Sequence, residues 1–182
     1  MVKKMFSLVL FSTFVFAETP KTYINMNHVL LKYTDNGTTS DFKPTGFKWT
    51  AGYLVKDFDF VSFGLEASAM LGVNNDSKSS VTLSNGNTLT NAQASLDKLY
   101  NIQLKTIIPL VDKLNANVYL GGSRVKMLTN ADSFTGSSGW NSAFSYGAGL
   151  EYWFPSNISF NLDYMQYFKN LNALEIGVGF KF

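Results

Sequence analysis

The sequence has no cysteine, a single histidine (His28) and few charged residues. Without cysteine, neither a disulfide framework nor a lipoprotein anchor is possible. One histidine excludes a histidine-rich metal site, and a nucleophile–histidine pair would have to use His28 alone. Charged residues make up 15% of the chain, against roughly 25% in soluble domains. After the first residues, no apolar run is long enough to cross a bilayer as a helix.

The net charge of +2 is carried by Lys3 and Lys4, because the rest of the chain has as many acids as bases. A neutral chain lacks the basic surface that nucleic acids require, so no nucleic-acid partner is expected. The sequence contains no glycine-rich phosphate loop, Walker motif or zinc-ligand spacing. We therefore expect no cofactor, no metal and no catalytic residue.

The first 17 residues have the pattern of a secretory signal peptide. Lys3 and Lys4 precede the apolar run Met5–Phe16, and Ala17 is the small residue that signal peptidase needs. The run is too short to span a bilayer as a helix. The sequence thus predicts a cleaved signal peptide at 1–17 and one domain at 18–182.

Aromatic residues are abundant at 15%, and apolar and polar residues alternate with a period of two. In the last segment Leu174, Ile176 and Val178 alternate with Glu175 and Gly177. A period of two indicates β-strands. Bulky apolar groups on one face, with glycines and lone carboxylates on the other, indicate lipid outside a sheet and a crowded polar lumen inside.

Eight strands of this kind are predicted, most of them long enough to cross a bilayer when tilted. They are Tyr23–Tyr33, Gly46–Val55, Phe60–Gly72, Leu96–Ile108, Asn115–Leu128, Asn141–Phe154, Asn157–Phe168 and Asn172–Phe182.

Long polar connections at Thr34–Thr45, Val73–Ser95 and Thr129–Trp140 alternate with tight turns, as in bacterial outer-membrane barrels. Within the longest connection, Asn85-Gly86 predicts a hairpin. The predicted fold is all-β: an eight-stranded antiparallel up-and-down transmembrane β-barrel. A lipocalin-type barrel or a secreted β-sandwich would need a charged exterior, which this sequence does not provide.

The fifth predicted strand changes phase, since Val118 and Val125 are both apolar but have opposite parity. Gly121-Gly122 lies between them, and a glycine pair inside a strand often marks a β-bulge. Without a bulge, Arg124 would face lipid, which costs roughly 2–4 kcal/mol near the midplane. We predict a bulge that turns Arg124 into the lumen.

The predicted lumen therefore contains a set of charged residues that must pair, because desolvation costs several kcal/mol per ion. We interpret this set as a network that fills and ties a narrow barrel. An ion path, or a catalytic carboxylate pair of Glu151 and Asp163, is the alternative. The members are Lys48, Glu66, Lys105, Arg124, Glu151, Asp163 and Glu175.

Several segments resemble the small bacterial outer-membrane β-barrel proteins of the OmpA/OmpX/opacity-like group. Gly147–Tyr152 followed by Asn157–Ser159 is similar to their penultimate hairpin, and Glu66 to an acidic lumen residue of their third strand. The closing Gly177–Phe182 resembles their last strand. The resemblance implies that Phe180 and Phe182 signal assembly to the barrel-assembly machinery. Unlike two-domain members, this sequence has nothing after Phe182 that could bind peptidoglycan, and it lacks the His-x-Ser-Asn run of lipid A deacylases.

The resemblance implies localisation in the cell outer membrane among its lipids, without specifying an activity. We expect a non-enzymatic integral membrane protein with a structural or surface-interaction role, and with a filled lumen instead of an open pore. A surface ligand would bind through the three long loops. A small channel is the first alternative, although open channels usually have more strands. A lipid-modifying enzyme is the second, although no recognisable nucleophile–base pair is present.

Overall fold

The computed structural model describes residues 21–34, 40–83, 85–132, 134–135 and 139–182. The predicted signal peptide and parts of all three long connections lie outside this range. The described residues form eleven β-strands in one antiparallel sheet: β1 Thr22–Thr34, β2 Asp41–Phe42, β3 Thr45–Phe58, β4 Val61–Asn74, β5 Asp76–Thr82, β6 Thr88–Val111, β7 Leu114–Ala131, β8 Phe134–Thr135, β9 Asn141–Trp153, β10 Ile158–Phe168 and β11 Leu171–Lys181. Within the described residues, no helix is long and apolar enough to cross a membrane.

Eight of the strands form a closed ring of hydrogen-bonded neighbours. From β6 the order runs through β4, β3, β1, β11, β10, β9 and β7, and β7 pairs with β6 again. The first and last long strands meet in register, from Tyr23 opposite Lys181 to Tyr33 opposite Leu171. Closure leaves these eight strands without an unpaired edge. We refer to them as the ring.

The eight ring strands correspond to the eight predicted ones, but the sheet has eleven strands, so the predicted strand number is wrong. The three additional strands lie in the long polar connections, where β2 pairs with β1, β5 with β6, and β8 with β7. The predicted hairpin in the longest connection is confirmed. Thr82 lies opposite Thr88, and the turn contains Gly86 in the left-handed region at φ 84°, which glycine adopts without steric cost.

Two ring strands are much longer than the others and extend past one end of the ring. β6 has 24 residues and β7 has 18, whereas about 9–11 residues suffice for a membrane-spanning strand. Their extensions carry β5 and β8, while β2 pairs at the same end of the ring with β1. We call β2, β5, β8 and the adjoining halves of β6 and β7 the lobe.

Side chains alternate between buried positions inside the ring and exposed positions outside it. In β4, Leu65 and Leu71 are exposed, whereas Glu66 and Met70 are buried. The register of β1, which the sequence left open, places Asn27 and Val29 inside. His28 lies on the exposed face.

The bulge predicted at Gly121-Gly122 is wrong. On one side β6 pairs regularly with β7, from Lys98 opposite Lys126 to Pro109 opposite Asn115. On the other side β9 also pairs with β7 without a register shift. Val125 is buried although it lies past the phase change. No change of face is needed because the interior at that level is apolar. Arg124 therefore points outward and is exposed.

The interior has two layers along the axis of the ring. Near the short turns it is polar, with buried carboxylates, lysines, amides and hydroxyls. Near the lobe it is filled by a hydrophobic cluster that we call the apolar layer: Val29, Leu31, Met70, Leu96, Leu99, Tyr119, Val125, Met127, Met165, Tyr167, Leu171 and Ala173. The predicted polar lumen thus occupies only part of the interior.

Candidate functional site

The polar layer is centred on Lys105, whose side chain is almost completely buried. Its Nζ lies 2.9 Å from Glu151 Oε2 and 3.6 Å from Glu66 Oε1. The ammonium also lies 4.9 Å from the ring centroid of Tyr23 and 5.9 Å from that of Tyr119. Two carboxylates and two aromatic faces therefore surround this one cation.

The two carboxylates around Lys105 have further hydrogen-bond donors. The Tyr23 hydroxyl donates to Glu66 Oε1 at 2.8 Å, and Gln103 Nε2 donates to Glu66 Oε2 at 2.6 Å. Ser159 Oγ donates to Glu151 Oε1 at 3.1 Å. These bonds come from strands on different sides of the ring. The network therefore ties its walls together across the interior.

A second ionic group lies beside the first. Lys48 pairs with Glu175 and donates to the Tyr167 hydroxyl at 3.1 Å, and that hydroxyl donates to Glu175. Asp163 lies opposite Glu175 in the β10–β11 register. It accepts hydrogen bonds from the Tyr119 hydroxyl at 2.9 Å and from Asn161 Nδ2 at 2.7 Å.

Six of the seven predicted lumen residues thus lie together in the polar layer, and each is less than 5% exposed: Lys48, Glu66, Lys105, Glu151, Asp163 and Glu175. Arg124, the seventh, lies on the outer surface with its guanidinium 5.1 Å from the ring centroid of Trp140. Its expected place in the lumen is therefore wrong. The layer contains four acids and two lysines.

The inward parity of β6 also predicts that Gln103 faces the lumen, but sequence reasoning did not identify the three tyrosines that complete this network. Tyr23, Gln103, Tyr119 and Tyr167 all hydrogen-bond to its carboxylates. The inward parity of their strands is the signal that could have revealed them. In β7, for example, Tyr119 alternates with outward Val118 and Leu120.

The carboxylates that could form a catalytic pair have no access to a substrate. Glu151 and Asp163 are 1% and 4% exposed, and their oxygens are bound to side chains of the network. General acid–base catalysis requires the catalytic group to come within hydrogen-bond reach of a substrate. Within the described residues, no group of three or more potential metal ligands is found.

The apolar layer separates the polar layer from the lobe. Val29, Met70, Leu99 and Tyr167 are completely buried, and Met165 is 1% exposed. Side chains from both halves of the ring thus meet along its axis. This packing occupies the axis of the ring at the level of the apolar layer, and an eight-stranded ring has a diameter just wide enough for side chains.

The lobe has a small hydrophobic core of its own, formed by Phe42, Val81, Ala92 and Ala94. Tyr33 packs against both this core and the apolar layer. The backbone N–H of Lys43 also donates to Asp76 Oδ2 at 2.8 Å, joining the segment after β2 to β5. The lobe is therefore a packed unit, continuous with the ring.

A salt bridge connects the end of β1 to the lobe. Lys32 Nζ lies 2.8 Å from Asp41 Oδ2, and the Thr34 hydroxyl donates to the same carboxylate. The hydrogen bonds from Lys32 and Thr34 hold the pKa of Asp41 below its usual value. A lowered pKa means that folding favours the charged carboxylate. The stabilisation from this contact is therefore complete above the ordinary aspartate pKa, and it is lost as the pH falls through the lowered pKa of Asp41.

The lobe also has a polar cleft of about 490 Å³ across β5, β6 and β7. The residues that line it are Ser77, Lys78, Ser79, Asn91, Gln93, Asn130, Ala131 and Asp132. Asn91 Nδ2 donates to Asp132 Oδ2 at 2.7 Å, which holds the cleft at one end. Amides, hydroxyls, one ammonium and one carboxylate give this surface many hydrogen-bonding groups and little net charge.

Comparison with known proteins gives one family and several structures of similar fold. The family model of the outer membrane protein beta-barrel domain matches residues 6–182. Crystal structures of the attachment invasion locus protein Ail of Yersinia pestis superpose with TM-scores of 0.59. One of them, in complex with the heparin analogue sucrose octasulfate, is 14% identical in sequence, and the match covers 89% of this chain and 98% of the Ail chain. The other is 16% identical, and the match covers 90% of this chain and 99% of the Ail chain.

A structure of the same Yersinia pestis protein in a phospholipid bilayer nanodisc superposes with a TM-score of 0.51. It is 16% identical, and the match covers 90% of this chain and 100% of the Ail chain. No curated protein matches the sequence.

Proposed function

Since the chain belongs to the outer membrane protein β-barrel family, we propose that its eight ring strands span the outer membrane as a barrel with a closed interior. The lobe then stands on the cell surface, and the short turns face the periplasm. The exposed belt of the ring supports this arrangement. Large apolar side chains such as Leu65, Ile102, Leu150, Phe160 and Ile176 point away from it, as lipid-facing residues do in membrane barrels.

The buried apolar layer is the observation that supports a surface role instead of transport. The apolar layer lies across the axis, and both buried lysines beneath it pair with carboxylates. An ion crossing the ring would have to displace the packed side chains of the apolar layer. The same burial supports a non-enzymatic role, because Glu151 and Asp163 cannot meet a lipid or a soluble substrate.

We further propose that the lobe binds a surface ligand. The lobe combines its own hydrophobic core with a polar cleft, so it can present a fixed surface. Ail, which has a similar fold, has been crystallised with a heparin analogue, and this supports a search among polar saccharides. The loops concerned are those at residues 34–45, 73–95 and 129–140.

Assembly is proposed to follow export by the signal peptide at 1–17 and recognition of Phe180 and Phe182 by the barrel-assembly machinery. Both aromatic side chains are exposed on the outer surface. The Thr22 hydroxyl donates to the Phe182 carbonyl at 2.7 Å, and the Phe182 N–H donates to the Thr22 carbonyl at 3.1 Å. Phe182 thus lies at the seam where β11 meets β1.

The proposal is tested with protein refolded from inclusion bodies into detergent and with cells that express it. We expect unboiled protein to migrate differently from boiled protein on gels, and planar bilayers to show no stable single-channel conductance. Cells that display the protein should retain a sulfated or neutral glycan from a glycan array, whereas cells displaying a variant with Asn91→Ala, Gln93→Ala and Asn130→Ala should not. A stable conductance, or equal glycan retention by both strains, would contradict the surface role.

A further inference from the structure

Arg124 has no partner in the interior, and its place on the outer surface requires a different explanation. It points outward from β7 among residues that otherwise face lipid, including Val118 and Leu120. An arginine in the hydrocarbon region is costly, but the cost falls to about 0–1 kcal/mol near the interface. Arg124 is close to the lobe end of the ring, where that interface would lie.

Two more cations lie beside it on the same outward face. Lys98 of β6 is directly opposite Lys126 of β7, and Tyr100 is directly opposite Arg124. Side chains in such directly opposed positions have Cβ atoms about 4.5–5.5 Å apart. Like charges in this arrangement repel each other unless an anion lies between them.

The described acids neutralise only one of the three cations. Asp97 Oδ2 lies 2.8 Å from Lys126 Nζ, whereas no described aspartate or glutamate forms an ion pair with Lys98 or Arg124. We call Lys98, Arg124 and Lys126 the basic patch. Its excess of positive charge makes it suited to a partner with more than one negative charge.

Aromatic rings place the basic patch at the level of a membrane interface. Trp140 stacks on Tyr100 with ring centroids 5.7 Å apart, and its ring also faces the Arg124 guanidinium. Tryptophan and tyrosine collect at the headgroup level of membranes. Lys98 and Lys126 lie two residues farther toward the lobe on their strands, which is about 7 Å along the strands.

The outward face of the other six ring strands has little charge. Lys32 is paired with Asp41 there, and Lys56 and Asp57 lie at the short-turn end of β3. The basic patch is therefore a local feature of β6 and β7. It is not one part of a cationic belt that encircles the whole barrel.

We propose that Lys98, Arg124 and Lys126 bind the phosphate of a lipid headgroup in the outer leaflet of the outer membrane. A planar guanidinium can hold two phosphate oxygens at once, and the two ammonium groups add point charges. The acyl chains of the same lipid would lie along the apolar surface below Tyr100 and Trp140. The inference rests on the proposed function, because it requires the ring to span the membrane.

The test uses the full domain refolded into phosphatidylcholine bicelles, with Trp49→Phe and Trp153→Phe so that Trp140 alone reports binding. Bisphosphorylated lipid A, dephosphorylated lipid A and inorganic phosphate are titrated separately. We expect a saturable fluorescence change with the phosphorylated lipid only. Since each basic residue near a membrane surface contributes about 1 kcal/mol, replacing all three by glutamine should weaken binding about a hundredfold.

Two variants control for charge and folding. Replacing Lys43, Lys56 and Lys169 by glutamine removes the same charge outside β6 and β7. The affinity should stay within about twofold, because salt screens exposed charges beyond about 10 Å. Arg124→Lys keeps the charge of the patch and should bind about tenfold more weakly than the parent, because it loses bidentate geometry. Should the triple glutamine variant not refold, Arg124→Gln is used in its place.

Several results would overturn the proposal: equal binding of dephosphorylated and phosphorylated lipid, equal affinity of parent and patch variant, or saturation by inorganic phosphate at the lipid's own affinity. Heat-dependent gel mobility is measured first on every sample. A parent protein that fails to show the folded mobility contradicts the proposed membrane-spanning barrel. A folded parent that does not discriminate between the lipids contradicts the phosphate site alone.

Discussion

Lys105 is the single residue on which most of the buried network depends. Replacing it by methionine leaves Glu66 and Glu151 without their cation in a buried site, and breaking a buried ion pair in this way costs about 3–5 kcal/mol. We expect Lys105→Met to lower the urea concentration at the unfolding midpoint of the refolded protein. The exposed Lys56→Met serves as control and should change the free energy of unfolding by less than about 0.5 kcal/mol. Equal midpoints for the two variants would show that the network does not stabilise the ring.

Phe182 is predicted to act during assembly more than in the folded state. Its side chain is half exposed, so Phe182→Ala removes little packing, and we expect the variant purified from membranes to unfold at the parent's temperature. The amount inserted in cells should fall severalfold, as measured by the heat-shifted band in outer-membrane fractions. Phe160→Ala, which removes an equally exposed aromatic within the wall, is the matched control. Equal insertion of Phe182→Ala and the parent would refute the assembly role.

At the scale of elements, the lobe should unfold separately from the ring. Val81 is buried in the lobe core, and Val81→Asp places an unpaired carboxylate there, which costs several kcal/mol. We expect trypsin added to intact cells to cleave at Lys78 much faster in this variant, because local unfolding governs cleavage. The unfolding midpoint of the ring should stay at the parent value. The exposed Ser79→Asp is the control, and unchanged cleavage of Val81→Asp would mean that the lobe core is not needed for order.

The elements also show where sequence patterns are informative. Strands that contact lipid on one face and the interior on the other alternate clearly, so all eight ring strands could be predicted. β2 and β8 have two residues each, which is too short for any period to be read. At Gly121-Gly122 the pattern was misleading, because the interior changes from polar to apolar along β7. An apolar residue there does not indicate an outward position.

At the scale of the whole molecule, ring closure can be tested because the chain has no cysteine. Leu30 and Leu174 lie opposite each other on the outer face, across the β1–β11 seam. Directly opposed residues have Cα atoms about 4.5–5.5 Å apart, which suits a disulfide. Leu30→Cys with Leu174→Cys should therefore form a cross-link after mild oxidation, detected as a mobility change on non-reducing gels after boiling. Leu30→Cys with Phe160→Cys, which are not partners, should remain reduced, and equal cross-linking of both pairs would argue against this register.

The sequence by itself determined the fold class and the lipid-facing surface, because the period-two alternation and the scarcity of charge are local properties of each strand. It also identified six of the buried charged residues, since an ion on the inward parity of a barrel strand must lie in the interior. Only the tertiary structure decided which groups meet there, because partners such as Lys48 and Glu175 are far apart in the chain and come together through strand register. It also decided that the interior is apolar near the lobe and that Arg124 lies outside. Both outcomes depend on what seven other strands contribute at the same level, which no single segment encodes.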